Sequence, residues 1–411
     1  MKLFKRENYL KKIRGFYDAD DLIKVITGVR RCGKSSLMLT IMDELLENKV
    51  NSKNIIYINL EKRGFKSITT PSQLEEVIDE KTSKIKGLKY LFIDEIQRVK
   101  GFEDVVNGYR SEGEFSIFIT GSNSYLLSNE ITTILTGRYI AFEIFPLTFE
   151  EYLQMKEFYK KPINNNLAEE LTIYIREGGF PRTMFFDNEE DKNSYVLSII
   201  EEIYEKDIKQ RVKIKNKILF EKVRSYIINN YGATTNIKSL YKALTGLGYT
   251  ISEATVKKYI DVLVDAKILY QCDRFDMKSK RSLSGDKKYY LSDLSFYYAM
   301  NTDARVAFGP SLENIVYMYA KSKGYYVSVG KIGNFECDFI VRKNSNNYSY
   351  IQVTYSIMEN RETEEREYRP LETTLDSYPK YLLTRDDFIQ QRNGIKHFNI
   401  PEFMKKGKLF D

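Results

Sequence analysis

Short apolar runs alternate with amphipathic segments through the first 150 residues of the chain. Helical patterns, such as the one at residues 72–84, separate most of these runs. Strands that alternate with helices are typical of a parallel sheet covered by helices on both faces. The pattern therefore predicts an α/β domain over residues 1–155. Its predicted strands are residues 22–28, 54–60, 90–93, 115–120 and 139–145.

The pattern changes in the rest of the chain. Residues 156–215 are mainly helical and predict a lid or connector, and residues 293–411 again alternate strands with helices. Residues 216–292 predict three short helices followed by a polar β-hairpin, an order typical of a winged helix-turn-helix. Its last two helices are predicted at residues 237–244 and 252–264, and the hairpin tip at residues 278–288.

A glycine-rich turn follows the first predicted strand. Residues 28–35 read Gly-Val-Arg-Arg-Cys-Gly-Lys-Ser and match the phosphate-binding pattern G-x-x-x-x-G-K-[ST] between a strand and a helix. In such a loop the backbone N–H groups and the lysine bind phosphates, and the serine hydroxyl binds Mg²⁺. The sequence therefore predicts a site for ATP and Mg²⁺. The predicted nucleotide contacts are Gly28, Arg31, Cys32, Gly33, Lys34, Ser35 and Ser36, and Ser35 is also a predicted metal ligand.

Two carboxylates follow the third predicted strand. Asp94 can hold a Mg²⁺-bound water, and Glu95 can polarise the attacking water, which favours hydrolysis over binding alone. The fourth strand is followed by a polar turn, in which Asn123 or Ser122 is our candidate for a contact to the γ-phosphate or the water. The alternative is that these two residues cap the next helix. Lys34, Glu95 and Asn123 are therefore candidate catalytic side chains.

Composition narrows the accessible chemistry further. The 411 residues include one histidine, His397, which excludes multi-histidine metal sites. The three cysteines, Cys32, Cys272 and Cys337, are far apart in sequence and do not suggest a disulfide framework. No apolar run approaches the roughly 20 residues that cross a bilayer. We therefore expect a cytoplasmic protein with no membrane partner.

Positive charge is concentrated in one part of the chain. The net charge is +7, but residues 211–288 hold 17 Lys and Arg against 7 Asp and Glu, so the remainder is slightly acidic. A basic winged helix predicts contact with DNA phosphates. The alternative is a winged helix that serves as a lid or binds protein. The candidate DNA contacts are Lys257, Lys258, Lys278, Lys280 and Arg281.

Together these motifs resemble AAA-type P-loop ATPases of archaea and bacteria that carry a C-terminal domain of unknown function. The resemblance covers nearly the whole chain. Arg138, which lies just before the fifth predicted strand, is a candidate arginine finger. Such a finger acts within its own subunit or from a neighbouring copy, so a homo-oligomer is possible; an ordinary surface arginine is the alternative. The matching motifs are residues 28–35, 92–97, 119–122, 135–139 and 145–152.

Two further segments are similar to motifs of related ATPases. Residues 178–181, Gly-Gly-Phe-Pro, are similar to the Gly-x-Pro element of signal-transduction ATPases, whose proline lies near the adenine. Residues 4–7 are similar to a short N-terminal motif that precedes the nucleotide site. The resemblance implies that Pro181 and Arg6 lie on the adenine side of the site. Without it, residues 178–181 indicate only the end of a helix.

The order of elements after residue 293 resembles the restriction-endonuclease-like core of the PD-(D/E)XK type. Glu313, Asp338 and Gln352 match its metal-binding positions, but Thr354 stands where a lysine is expected. Threonine supplies no positive charge to stabilise a hydroxide or a phosphorane oxygen. Lys331 or Lys343 is a conceivable substitute. We therefore expect a degenerate site and no nuclease activity.

These observations lead to one functional hypothesis with two alternatives. The hypothesis is a Mg²⁺-dependent ATPase whose nucleotide state is coupled to a DNA-binding winged helix and a nuclease-like module. The first alternative is a signalling switch that acts through protein partners or oligomerisation. The second is a metal-dependent nuclease gated by ATP.

Overall fold

The computed structural model describes residues 2–121, 135–210, 212–301, 305–333, 335–343 and 347–410. By its internal contacts the chain divides into two units, Met1–Phe145 and Pro146–Asp411. Within the described residues, no helix is both long and apolar enough to span a membrane.

A five-stranded parallel sheet forms the centre of the first unit, with the strand order β2-β3-β4-β1-β5. This arrangement confirms the α/β fold with a parallel sheet that the sequence predicts. The strands are β1 (Ile23–Gly28), β2 (Ile55–Asn59), β3 (Lys89–Asp94), β4 (Phe115–Thr120) and β5 (Tyr139–Ile144). The helices are α1 (Glu7–Ile13), α2 (Lys34–Glu47), α3 (Pro71–Thr82) and α4 (Phe102–Ser111).

Burial explains why three of these strands consist mainly of apolar residues. Every residue of β1, β3 and β4 is buried, because both faces of the sheet centre are covered. One covering element, α3, begins at a capping box in which Thr70 and Gln73 bond each other's backbone N–H groups. The strands therefore form a buried support that places their carboxyl ends along one edge of the sheet.

The second unit contains an eight-stranded mixed sheet with the order β13-β12-β11-β10-β9-β7-β8-β6. The first strands are β6 (Thr234–Thr235), β7 (Leu269–Asp276) and β8 (Arg281–Leu291). The others are β9 (Tyr326–Ile332), β10 (Phe335–Arg342), β11 (Tyr348–Val353), β12 (Lys380–Thr384) and β13 (Lys396–Asn399).

Ten α-helices are described in this unit. Those before the β7–β8 hairpin are α5 (Phe149–Phe158), α6 (Leu167–Glu177), α7 (Glu189–Ile203), α8 (Lys217–Asn229), α9 (Ile237–Gly246) and α10 (Glu253–Asp265). Those after it are α11 (Ser295–Met300), α12 (Phe308–Ser322), α13 (Arg361–Glu372) and α14 (Ile400–Lys405). The helices predicted at residues 237–244 and 252–264 correspond to α9 and α10.

The β7–β8 hairpin belongs to the same sheet as the C-terminal strands. Strand β7 pairs with β9 in parallel, with Arg274 opposite Val329, and with β8 in antiparallel. The hairpin turn is shorter than the predicted tip at 278–288, because residues from Arg281 onward pair with β7 although their side chains are polar. The boundary predicted at residue 292 therefore separates strands of one continuous sheet.

Candidate nucleotide and metal site

The phosphate loop connects β1 to α2 and passes close to the end of β5. Gly28 has a φ of 142°, and a Cβ atom added to it would lie 2.1 Å from the Ile144 carbonyl oxygen. Gly33 has a φ of 109° and directly precedes α2. Both positions therefore require glycine, because side chains rarely tolerate such positive φ values. At Gly28 a side chain would also collide with the Ile144 carbonyl oxygen.

Lys34 lies at the start of α2 and is buried. Its Nζ donates to the carbonyl oxygens of Gly28 at 3.0 Å and Val29 at 3.2 Å, so the ammonium group lies against the loop. The first N–H groups of α2 have no acceptor within the helix and can bind an anion. Ser35 is half-buried, whereas Arg31 and Ser36 are exposed. The loop thus combines backbone donors, one ammonium group and one hydroxyl group.

Cys32 and Arg6 fix the phosphate loop through hydrogen bonds to backbone carbonyl oxygens. The Cys32 thiol is fully buried and contacts the Ile144 carbonyl oxygen at 3.3 Å, and burial raises its pKa. Arg6 donates to the carbonyl oxygens of Cys32 at 3.1 Å and Phe145 at 2.8 Å. The Cys32 side chain therefore packs into the protein, which leaves its backbone as the group able to reach a nucleotide. The role of Arg6 beside adenine stays a prediction.

Asp94 lies at the carboxyl end of β3 and is completely buried. Its Oδ2 accepts hydrogen bonds from the Tyr57 hydroxyl at 2.9 Å and from Asn59 Nδ2 at 2.7 Å, and its Oδ1 accepts one from the Thr120 hydroxyl. Three donors from β2 and β4 therefore fix this carboxylate. A carboxylate can accept about four hydrogen bonds, so it can still receive one from a Mg²⁺-bound water.

Glu95 follows Asp94 in a left-handed backbone conformation, with a φ of 61°. Its N–H donates to the Thr120 hydroxyl at 3.1 Å, and its Oε2 accepts a hydrogen bond from Gln97 Nε2 at 2.6 Å. Arg30 lies 4.0 Å from the same carboxylate oxygen. The Glu95 side chain is thus oriented by Gln97 and faces a cation of the phosphate loop.

Four of the residues that build this site were not singled out from the sequence. Tyr57 lies in the middle of β2 and Asn59 at its end, Thr120 lies at the end of β4, and Gln97 lies two positions after Glu95. Polar residues at the ends of the predicted strands could have identified Asn59 and Thr120. The hydroxyl oxygen of Ser35 and the carboxylate oxygens of Asp94 are the kind of ligand that the hard cation Mg²⁺ prefers. The residues present therefore fit the predicted metal.

Arg138 lies just before the amino end of β5, whereas the residues described above lie at the carboxyl ends of the strands. Its carbonyl oxygen accepts a hydrogen bond from the Ile23 N–H at 2.9 Å, at the beginning of β1, whereas the phosphate loop begins at Gly28. Five residues of extended strand separate these edges by about 16 Å. This separation favours action in a neighbouring copy over action within its own subunit, and the role of Arg138 as a finger stays a prediction. Asn123 and Ser122 lie outside the described residues.

Pro181 belongs to the second unit, where the preceding glycines approach a buried carboxylate. The Gly179 N–H donates to Asp293 Oδ2 at 2.7 Å, and a Cβ atom on Gly178 would lie 1.9 Å from Asp293 Oδ1. Burial raises the pKa of Asp293 to about 6. This close packing accounts for the Gly-Gly pair, and the adenine contact of Pro181 stays a prediction.

The nuclease-like residues are gathered around a buried lysine. Lys288 Nζ lies 3.4 Å from Glu313 Oε2 and 3.1 Å from Glu336 Oε1, and the Asp338 N–H donates to Gln352 Oε1 at 3.3 Å. Burial, together with the neighbouring Glu313 carboxylate, raises the pKa of Asp338. Among the described residues, no three His, Cys, Asp or Glu side chains are arranged to hold a metal. Lys288 was not predicted from the sequence, because it lies 25 positions before Glu313.

The candidate DNA contacts lie on two different elements. Lys257 and Lys258 are exposed on α10, and Lys278, Lys280 and Arg281 are exposed at the turn between β7 and β8.

Two family models match the chain. Residues 20–153 match an AAA domain, and residues 168–306 match a domain of unknown function, DUF8612. Among solved structures, the Walker-type ATPase PABY2304 of Pyrococcus abyssi is similar, with 15% identity, a TM-score of 0.48, and coverage of 72% of this chain and 96% of that one. The ORC1 protein of Aeropyrum pernix in complex with DNA has 14% identity and a TM-score of 0.33, with coverage of 73% and 93%.

Two relatives match over most of their length. An uncharacterized protein of Haemophilus influenzae is 34% identical over 404 residues, which cover 98% of each chain. An uncharacterized protein of Methanocaldococcus jannaschii is 32% identical over 380 residues, which cover 89% of this chain and 82% of that protein. The chain therefore belongs to the same family as these two proteins, and its residues 20–153 form an AAA-type P-loop domain.

Proposed function

We propose that the first unit binds ATP together with Mg²⁺ and hydrolyses it. The observation that supports this proposal is the convergence of the phosphate loop, Asp94 and Glu95 at one edge of a parallel sheet. Ligands of α/β proteins bind at the carboxyl ends of the parallel strands. A phosphate-binding loop, a metal-binding carboxylate and a base at that edge are the parts that ATP hydrolysis requires.

Each side chain has a separate task in the proposed reaction. When ATP binds, the Lys34 ammonium group leaves the carbonyl oxygens of Gly28 and Val29 and donates hydrogen bonds to phosphate oxygens. The N–H groups at the start of α2 bind the same phosphates. Ser35 and Asp94 hold Mg²⁺, which when bound neutralises charge on the phosphates. Glu95 accepts a hydrogen bond from the attacking water and orients it. Gln97 acts as a positioning residue, because its amide holds the Glu95 carboxylate.

The test is phosphate release by the full chain and by the variants K34A and E95Q. We expect both variants to lose at least about 100-fold in kcat, with E95Q retaining ATP binding because its loop is intact. The matched control for E95Q is E112Q, since Glu112 is exposed beyond the end of α4. Turnover that survives in both K34A and E95Q would overturn the proposal.

We further propose that the second unit contacts DNA and that this contact depends on the bound nucleotide. The supporting observation is the excess of ten positive charges in residues 211–288. The test is ATP turnover with and without a duplex of about 30 base pairs, together with duplex affinity in ATP and in ADP. A change in either quantity supports the coupling. Salt-independent or absent binding by the wild-type chain would contradict DNA contact and favour a protein partner.

A further inference from the structure

The turn between β7 and β8 is a small structured element. Asp276 Oδ1 accepts a hydrogen bond from the Lys278 N–H at 3.1 Å, and Oδ2 accepts one from the Ser279 hydroxyl at 2.8 Å. Lys280 adopts a left-handed backbone conformation with a φ of 52°. The Asp276 side chain thus bonds two consecutive residues of the turn, which fixes the path of the backbone that carries the following cations.

This turn carries several positive charges and one carboxylate. Lys278, Lys280 and Arg281 are exposed, and exposed Lys331 of β9 stands opposite Asp276 in the sheet register. Four cations therefore surround Asp276, whose oxygens already accept two hydrogen bonds from the turn. The excess of positive charge at this end of the hairpin suits a polyanion.

The outer face of α10 has a different charge pattern. Lys257 and Lys258 are accompanied there by Glu253, Asp261 and Asp265, so carboxylates outnumber cations. Lys257 Nζ lies 2.9 Å from Asp261 Oδ2 in an exposed ion pair. A helix with this face would bring two or three carboxylates against DNA phosphates, which costs free energy through like-charge repulsion.

We infer that the hairpin turn, and not helix α10, carries the main contact of this chain with DNA, by binding backbone phosphates. The inference rests on the proposed DNA contact and specifies its surface and mode. Contacts to phosphates carry no direct sequence information. The hairpin turn therefore binds duplexes of different sequence with similar affinity, and the binding is strongly salt-dependent.

The experiment compares two variants of the full chain that lose the same charge. The turn variant is K278Q/K280Q/R281Q. The helix variant is K242Q/K257Q/K258Q, which combines the two lysines of α10 with Lys242 of α9, and all six residues are exposed. Duplex affinity is measured by fluorescence anisotropy at several KCl concentrations, on two duplexes of about 30 base pairs with unrelated sequences. Circular dichroism melting checks that both variants stay folded.

We expect the turn variant to lose at least tenfold in affinity at low salt, and its logarithmic salt slope to fall by about 2 to 3. The helix variant should stay within threefold of the wild type, and the two duplexes should bind within threefold of each other. Equal losses in both variants, or a larger loss in the helix variant, would overturn the inference while leaving DNA contact standing. A wild-type chain that does not bind either duplex would instead refute the proposed DNA contact itself.

Discussion

At the scale of single residues, Lys288 is the most consequential charge of the second unit. Its ammonium group lies between Glu313 and Glu336. Burial lowers the pKa of Lys288, but the carboxylates of Glu313, Asp338 and Glu336 together outweigh burial and raise this pKa above its ordinary range. Removing one partner of a buried ion pair leaves the others charged without compensation. Lys288 therefore compensates the negative charge of the carboxylates around it.

The variant K288M tests this reading of the cluster. We expect it to lower the free energy of unfolding at pH 7 by about 3 kcal/mol, because buried carboxylates lose their cation. The matched control is K287M, since neighbouring Lys287 pairs with Asp273 at 3.1 Å in a more exposed setting and should contribute at most about 1 kcal/mol. Urea denaturation measures both values. Equal effects of the two variants would contradict a special role for Lys288.

The same variant has an expected pH dependence. The pKa values of Glu313 and Asp338 are raised in the folded chain, chiefly by burial, so folding favours their protonated forms. A raised carboxyl pKa means that stability is lost as the pH rises through the folded value. Without Lys288 these pKa values rise further, so the destabilisation by K288M should be smaller at pH 5 than at pH 7. A destabilisation by K288M that is equal at pH 5 and pH 7, or larger at pH 5, would contradict this expectation.

At the scale of elements, β2 acts as a positioning strand for Asp94 of β3, the carboxylate that we propose binds the metal. Asn59 at its carboxyl end bonds Asp94, whereas Asn54, just before its amino end, donates to the carbonyl oxygens of Lys86 and Leu88. The variant N59A should raise the Mg²⁺ concentration for half-maximal ATPase activity by about tenfold. The variant N54A should lower stability but leave the Mg²⁺ dependence unchanged. A Mg²⁺ titration of both variants that shows no difference would argue against this role of β2.

Local patterns predicted the elements of the first unit, but not which elements meet. The run before Asp94 identified β3, and the glycine pattern identified the loop, because both signals are contiguous in sequence. The bond from Asn59 to Asp94 depends on β2 lying beside β3, which no pattern within either strand specifies. The same holds for Lys288, which meets Glu313 because α12 lies against β8, where Asn314 bonds the backbone of Leu291. Strand direction also decides where Arg138 lies, at the amino edge of β5.

At the scale of the whole molecule, the position of Arg138 links the proposed ATPase activity to assembly. Arg138 is exposed at the amino end of β5, whereas the phosphate loop follows the carboxyl end of β1, so we expect Arg138 to complete a nucleotide site in a second copy of the chain. A subunit without Arg138 keeps its own loop, and a subunit without Lys34 keeps its Arg138. Each of the two variants should be inactive alone, for different reasons.

Mixing R138A with K34A should therefore restore ATP turnover, because a K34A subunit can present Arg138 to the intact loop of an R138A subunit. We expect the recovered activity to depend on total protein concentration and to reach at most about half of the wild-type rate, since only one kind of site becomes complete. Mixing K34A with E95Q is the control, because both variants keep Arg138 but damage the loop side of the site, so no interface in that mixture contains a complete loop side. Two results would show that Arg138 does not act across a subunit boundary. One is recovered turnover in the control mixture. The other is no recovery in the R138A and K34A mixture, although the wild type is active and R138A alone is inactive.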